Sequence, residues 1–315
     1  MTRLEIEPTR ARRRGPVGHL AHILLWIIVL ALLLFTGWRL FGPDSAWPVA
    51  VAMAYTPYVL VACLIPILLA IGLRAGRLLA VTVLCTCVLA ALLVPRVFGG
   101  TLQREGATVT IMTANVDGSE TNLTEAAAIA ADGGVDVLLL QGVTAGLADE
   151  ADKQLGPLLP HEDHSGTTFV YSTHEVTADG QQFDVDLGDD EAVRLVSAEL
   201  PKPTNRDSFA RWREGFAELP SAEENDGART VIAGTFHATL DHATLRDLLD
   251  SGYTDATEAV GEKPTQVWDF RGKPKPFAPQ HLLAGPDLHV SASEQYELPD
   301  TASEALVSTL VLVED

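Results

Sequence analysis

Two groups of residues in this chain carry the side-chain types that bind metals or move protons. His161-Glu162-Asp163-His164 packs four potential ligands into four residues, a density that would suit a zinc-like ion if the side chains converged. His161 and His164, at i and i+3, would share one face of a helix. Pro160 before them and Ser165-Gly166 after them predict a solvated loop instead. The second group, His237 and His242, flanks a short loop after the apolar run Val231-Ile232-Ala233. With His281 it is a candidate pocket for a soft metal or a small ligand. Other chemistries find no support: the chain has no G-x-S-x-G nucleophile elbow, no P-loop and no dinucleotide fingerprint. Cys63, Cys85 and Cys87 all lie in apolar stretches, which leaves the polar part of the chain without a thiol nucleophile or a disulfide.

The elements that position these residues fall into two parts of opposite charge. The first hundred residues hold nine Lys and Arg against three Asp and Glu, and the remainder holds 13 against 39. A surface that acidic repels phosphate backbones and excludes ordinary nucleic-acid binding. The basic part contains three apolar runs, residues 19–38, 48–73 and 78–95, each close to the length of about 20 residues that crosses a bilayer. Residues 1–18 then form a basic cytoplasmic N-terminus and 19–96 a three-helix transmembrane segment. Arg10, Arg12, Arg13 and Arg14 precede the first run, and Arg74 and Arg77 separate the second from the third. The positive-inside rule places both clusters in the cytoplasm and everything after Arg96 outside. Arg39 and Arg96 run against that asymmetry and would snorkel at the outer interface. No Asp, Glu or Lys interrupts the runs, which argues for an anchor rather than an ion path.

After residue 106 short β-rich runs alternate with helical ones. Thr108–Thr113, Val135–Gln141, Thr168–Ser172, Ala192–Leu200, Thr230–Ala233, His281–Leu283 and Ala305–Val313 read as strands. Helices are expected over Leu123–Ala131, Thr144–Leu155, Ser208–Leu219 and Asp241–Asp250, the last with Asp241 as its N-cap. Asp179–Glu191 reads as an acidic loop or hairpin, and Gly261–Pro279, with four prolines, as a long irregular connection. The alternation predicts stacked sheets covered by helices.

Seven phrases along residues 106–313 occur in an order that resembles the endonuclease/exonuclease/phosphatase superfamily of metal-dependent phosphodiesterases. They are TANV (Thr113–Val116), VDVLLLQGVT (Val135–Thr144), VYSTHEV (Val170–Val176), RLVSAEL (Arg194–Leu200), VIAGTFHATLDHATLRDLLDSGYTDA (Val231–Ala256), APQHLLA (Ala278–Ala284) and ASEALVSTL (Ala302–Leu310). The resemblance implies a four-layer α/β sandwich over 106–315, and its membrane-anchored form is similar to an actinobacterial arrangement. It also implies a lost active site. Gly142 stands where the family has a Mg²⁺-binding glutamate, and Thr235 and His237 replace the aspartate and asparagine of GDFN. Gln280 precedes His281 where an Asp-His pair is usual, Ala302 and Ser303 replace the terminal Asp-His, and Glu199 replaces an earlier histidine. Asn115 alone is kept.

Without carboxylates a hard divalent ion has no ligands, and phosphoryl transfer has nothing to neutralise the charge on its oxygens. The expectation is a catalytically inactive protein with no cofactor and no nucleic-acid ligand, held in the bilayer as a binding or accessory subunit with a membrane or envelope protein partner. The alternative is an enzyme, a Mg²⁺-type phosphodiesterase or phosphatase with a rebuilt site, acting on an extracytoplasmic phosphoester. A third reading keeps a pocket that recognises a phosphate or sugar headgroup without cleaving it. Arg194, Arg206, Arg211 and Arg213 are the concentrated cations available to such a pocket, although a salt-bridged surface is their plainer role.

Overall fold

A computed structural model describes residues 16–98, 100, 104–188, 191–224, 228–261, 278–300 and 304–313. The chain divides into two compact units: one comprises Met1–Phe41 and Tyr58–Ala91, the other Gly42–Pro57 and Leu92–Asp315.

In the first unit, helix α1 (Pro16–Phe41) and helix α5 (Gly76–Leu93) are each long and apolar enough to cross a membrane. Leu25 and Val29 pack with Ala70, Ala75 and Leu78, while Leu32 packs with Cys63, Cys85 and Leu89. His19 and His22 stand in the first turns of α1, so the spans are not wholly free of ionisable side chains.

The apolar run 48–73, expected as one span, is broken into α2 (Trp47–Ala54), α3 (Thr56–Ala62) and α4 (Leu64–Gly72). A third crossing exists only if this bent assembly counts as one span. Proline is the cause. Pro57 lacks the N–H that would bond the carbonyl of Met53, and the Thr56 hydroxyl donates to that carbonyl instead at 2.6 Å. Helix α2 is therefore free to join the second unit.

From Thr108 that unit runs β1 (Thr108–Asn115), α6 (Glu120–Asp132), β2 (Val137–Gln141), α7 (Ala148–Leu155), β3 (His161–Ser165), β4 (Thr168–Ser172), β5 (Glu175–Asp179) and β6 (Gln182–Gly188). It continues through β7 (Glu191–Glu199), α8 (Arg206–Glu218), β8 (Thr230–Ala238), α9 (Ala243–Asp250), β9 (Thr254–Asp255) and α10 (Ala256–Val260) to β10 (Ala278–Ala284), β11 (Leu288–Glu297) and β12 (Glu304–Leu312). Two six-stranded mixed sheets result, in the orders β11-β12-β1-β2-β4-β3 and β5-β6-β7-β8-β10-β9. The parallel pairs β1/β2 and β7/β8 lie inside the sheets, where both strand faces are buried and the sequence reads as a continuous apolar run.

The inner faces meet in one core, with Ile111, Leu139 and Val170 from the first sheet against Leu195, Val231 and Leu282 from the second. Leu123 and Ala126 of α6 and Leu155 of α7 cover the outer face of the first sheet at Met112, Leu138 and Leu140. Phe209, Trp212 and Phe216 of α8, Leu245 and Leu248 of α9, and Ala50 of α2 cover the second at Val196, Ile232 and Leu283.

The polar segments give the departures from expectation. His161–Ser165 is an edge strand rather than a loop, because it pairs with β4 from His161 opposite Ser172 to Ser165 opposite Thr168. The acidic stretch after Asp179 takes the hairpin form of its expected alternatives, as strand β6 paired on both sides. Helix α9 starts at Ala243 with His242 at its N-cap, and Asp241 does not cap it. Asp44, from the segment before α2, accepts the Thr244 N–H at 3.0 Å and the Thr244 hydroxyl at 3.1 Å. A capping carboxylate supplied from 200 residues away thus ties the α2 segment to the sheet-covering layer. Arg96 makes a second tie. It bonds the Leu240 carbonyl at 3.2 Å and the Asp241 carboxylate at 3.1 Å and lies 3.4 Å from Glu258. The connection expected over Gly261–Pro279 lies outside the described residues except for Gly261 and the first residues of β10.

Candidate functional site

The C-terminal ends of β1, β2, β7 and β8 and the start of β10 converge, and each contributes a polar side chain to the rim of the inter-sheet core. Asn115 ends β1, Gln141 ends β2, Ser197 lies near the end of β7, Thr235 lies in β8 and Gln280 in β10. Gln141, Ser197, Thr235 and Gln280 are buried. A buried amide must find partners or cost several kcal/mol, on the order of 2–7, and here all of them do.

The Thr235 hydroxyl is the hub. It accepts from the Asn115 amide and from the Gln280 amide, each at 3.0 Å, and donates to the Gln141 Oε1 at 2.7 Å. The Gln141 amide in turn donates to Ser197 Oγ at 3.0 Å and to the Ala198 carbonyl at 2.9 Å. The Thr113 hydroxyl donates to Gln280 Oε1 at 3.4 Å, and the Asp117 N–H donates to Asn115 Oδ1 at 3.0 Å. One hydroxyl has used both its lone pairs and its proton. The network is neutral throughout and closed on itself.

Solved structures with this arrangement of sheets and helices place it. The endonuclease/exonuclease/phosphatase from Beutenbergia cavernae superposes with a TM-score of 0.51 at 15% identity, over 65% of this chain and 72% of that one. This is the endonuclease/exonuclease/phosphatase fold. An endonuclease/exonuclease/phosphatase family protein from Bacteroides thetaiotaomicron is also similar (TM-score 0.46, 12% identity, 67% of this chain and 100% of that one). So is the sphingomyelinase C of Streptomyces griseocarneus (0.45, 12%, 64% and 99%). At these identities the likeness is one of fold. By sequence, no family profile and no curated protein matches the chain.

Within the endonuclease/exonuclease/phosphatase fold, the residues singled out from sequence divide sharply. Asn115, Thr235 and Gln280 come together in the neutral network. Gly142 adjoins it with φ +72°, and a β-carbon there would stand 2.6 Å from Asn115 Oδ1 and 2.8 Å from the Asp117 nitrogen. The backbone at this point has no room for any side chain while Asn115 keeps its place. Glu199 is exposed and accepts weakly from Thr167 and Thr168 at 3.4 and 3.3 Å. Ala302 and Ser303 lie outside the described residues.

The histidines do not converge. His237 is half-buried in β8 with φ +48°, and burial, helped by the charge of Lys202, pushes its pKa down to about 4. It is neutral at pH 7. His242 is fully buried and accepts the Thr239 N–H on Nδ1 at 2.9 Å, and burial likewise holds its pKa below the ordinary value. His281 is committed elsewhere: Nδ1 lies 2.6 Å from Asp255 Oδ2 and Nε2 3.1 Å from the Ala238 carbonyl. Burial opposes charging the His281 ring, but the Asp255 carboxylate outweighs it and the His281 pKa is raised. Burial also pushes against the Asp255 charge, and His281 outweighs it in the other direction, so the Asp255 pKa is lowered. Asp255 Oδ1 meanwhile caps α10 through the Thr257 and Glu258 N–H groups, each at 3.0 Å. Both ring nitrogens of His281 are thus used, and His281 cannot join His237 as a ligand.

The 161–164 cluster is spread by its strand geometry, in which successive side chains leave opposite faces. Asp163 accepts the Ala178 N–H at 2.7 Å, and His164 stacks on Phe169 beside Glu162. Among the described residues, no three His, Cys, Asp or Glu side chains are placed to hold a metal ion. The donor set at the strand ends, amides and a hydroxyl with no carboxylate among them, does not fit Mg²⁺ or Ca²⁺, which take carboxylate oxygens.

Gln141, Ser197, Thr113 and Asp255 were not singled out from sequence. Gln141 carries one usable signal, a polar residue ending the otherwise apolar run VDVLLLQ.

Proposed function

We propose that the chain is a noncatalytic, membrane-anchored protein of the endonuclease/exonuclease/phosphatase fold that serves as a binding or accessory subunit of a membrane or envelope protein complex. The observation that carries this reading is the closed neutral network around Thr235. It fills the described strand ends with amide and hydroxyl groups that satisfy one another, with no cluster of metal-binding side chains among the described residues. Phosphoryl transfer needs cationic charge at the equatorial oxygens, and this arrangement offers none. The two membrane-length helices support the anchor, and the Arg clusters at 10–14 and 74–77 support a cytoplasmic N-terminus with the globular unit outside.

The test is affinity isolation of the full-length protein from mild detergent, with identification of co-purifying chains and a phosphodiesterase assay of the eluate in Mg²⁺, Mn²⁺ and Ca²⁺. A stoichiometric membrane partner and no metal-dependent turnover are expected. Turnover that vanishes in Asn115→Ala or His237→Ala would overturn the proposal in favour of a metal-dependent phosphodiesterase.

A further inference from the structure

Helix α8 carries cations that form no ion pair among the described residues. Arg194, on the neighbouring strand β7, pairs with Asp184 at 3.0 Å. Arg206, Arg211 and Arg213 have no ion pair among the described residues. In a unit holding 40 acidic residues against 14 basic ones, three guanidinium groups on one helix without an ion pair among the described residues are conspicuous, since acidic partners are abundant. Two of them share a place. Arg206 and Arg213, seven residues and so about 10 Å apart along one face of α8, line a groove of about 880 Å³ whose opposite wall is Ser45–Pro48.

The groove is mainly apolar between its two cations, with Phe209 and Ala210 on the α8 wall. Its opposite wall opens helix α2, eight residues without a charge. Trp47 is fixed there: its indole N–H donates to the Pro203 carbonyl at 2.9 Å, while 37% of the residue stays exposed. A Trp with its polar edge satisfied and its ring exposed, at the start of an apolar helix, is the residue type found at the headgroup level of bilayers. Phe41, six positions earlier, ends a membrane-length helix and is 87% exposed.

We propose that this groove binds the headgroup of an anionic phospholipid, with the phosphate held by Arg206 and Arg213 and the glycerol and first acyl carbons lying along Phe209, Ala210 and Pro48. Guanidinium groups match phosphate oxygens in geometry and charge. Glu214, also in the lining, disfavours a polyanion and limits the site to a singly charged headgroup. The inference is independent of whether the strand-end network is catalytic.

The experiment is a titration of the delipidated full-length protein in nonionic detergent with short-chain phosphatidylglycerol, followed by native mass spectrometry. One lipid per chain is expected. Arg206→Gln with Arg213→Gln should weaken binding on the order of 30-fold, taking about fivefold for each cation near a headgroup. Arg211→Gln, on the same helix but outside the groove, should change it less than about threefold. Glu214→Gln should tighten binding by about fivefold, a gain that misfolding cannot imitate. Equal affinity for phosphatidylcholine, or unchanged binding in the double variant, would overturn the proposal. So would full competition by glycerophosphoglycerol at the same concentration, which would assign the groove to a soluble phosphoester.

Discussion

Restoring a carboxylate at Gly142 should fail for a reason visible in the backbone. The φ of +72° at this position is a left-handed conformation that costs a residue with a β-carbon about 1 kcal/mol. The β-carbon would lie 2.6 Å from Asn115 Oδ1 and 2.8 Å from the Asp117 nitrogen, so the 3.0 Å bond between them must break or stretch. Losing that bond costs about 1 kcal/mol, and forcing the strand ends apart adds roughly 1–3 kcal/mol of overpacking. Gly142→Ala already carries the offending atom. It should therefore lose about 3–5 kcal/mol in total by these figures, and Gly142→Glu should lose no less. The assay is urea unfolding of the full-length protein in mild detergent, followed by tryptophan fluorescence, since Trp212 lies buried in the layer over the second sheet. A Gly142→Ala change within about 0.5 kcal/mol of the parent would show that the loop yields freely. In that case the steric argument against a glutamate here would be wrong, and Gly142→Glu should be tried for Mg²⁺ binding.

Thr235→Val should cost about 2–4 kcal/mol, because it strands the Asn115 and Gln280 amides and the Gln141 carbonyl in a buried site, while Thr235→Ser stays within about 1 kcal/mol; equal losses in chemical unfolding would remove the hydroxyl from its place at the hub. Asp44→Ala should cost about 1–2 kcal/mol through the lost α9 cap and should speed proteolysis within Gly42–Trp47; unchanged proteolysis would mean that the cap does not hold this segment. His237 has a pKa depressed to about 4, so the unfolded chain takes up a proton near pH 6.5 that the folded chain refuses. Stability should then fall between pH 6.5 and 4 with a slope approaching 1.4 kcal/mol per pH unit for this group, and His237→Gln should flatten it. The Asp255–His281 pair behaves differently. The lowered Asp255 pKa gives stability that is present above the ordinary carboxylate range and lost as pH falls through the folded value; the raised His281 pKa gives stability present below about 6.5 and lost as pH rises through its folded value. Asp255→Asn should therefore be most destabilising between those limits, and a loss that is uniform across pH would mean that the pair is not charged.

The interior strands could be read because both of their faces are buried. TVTIMT, VDVLLLQ and RLVSAEL are largely apolar, and they supply most of β1, β2 and β7. The strands that escaped, β3 with HEDHS, β5 with EVTAD and β11 with LHVSASEQYE, sit at sheet edges, where polar residues are tolerated and tertiary pairing overrides local composition. The second apolar run was read as one span on hydropathy alone, which is blind to where proline breaks the ladder and to the globular face waiting for Ala50. At the strand ends, Asn115, Thr235 and Gln280 were reached through the family resemblance. Gln141 and Ser197 were not, since a neutral polar residue in a strand carries no signature of what it faces. Asp255 and Asp44 look like any surface acid until a histidine or a helix end is brought to them.

Asp44 and Thr244 also set a clock. A ribosome adding about 5–20 residues per second finishes Thr244 roughly 10–40 s after Asp44, the two being 200 residues apart. For most of that interval Trp47–Gly72 is an apolar run without α8 for Trp47 and Ala50, and for all of it without α9 for the capping acid before it. Helix α2 therefore joins the globular unit late, after most of the chain has been made, and a truncation before β8 would leave it without β8 and α9 to pack with.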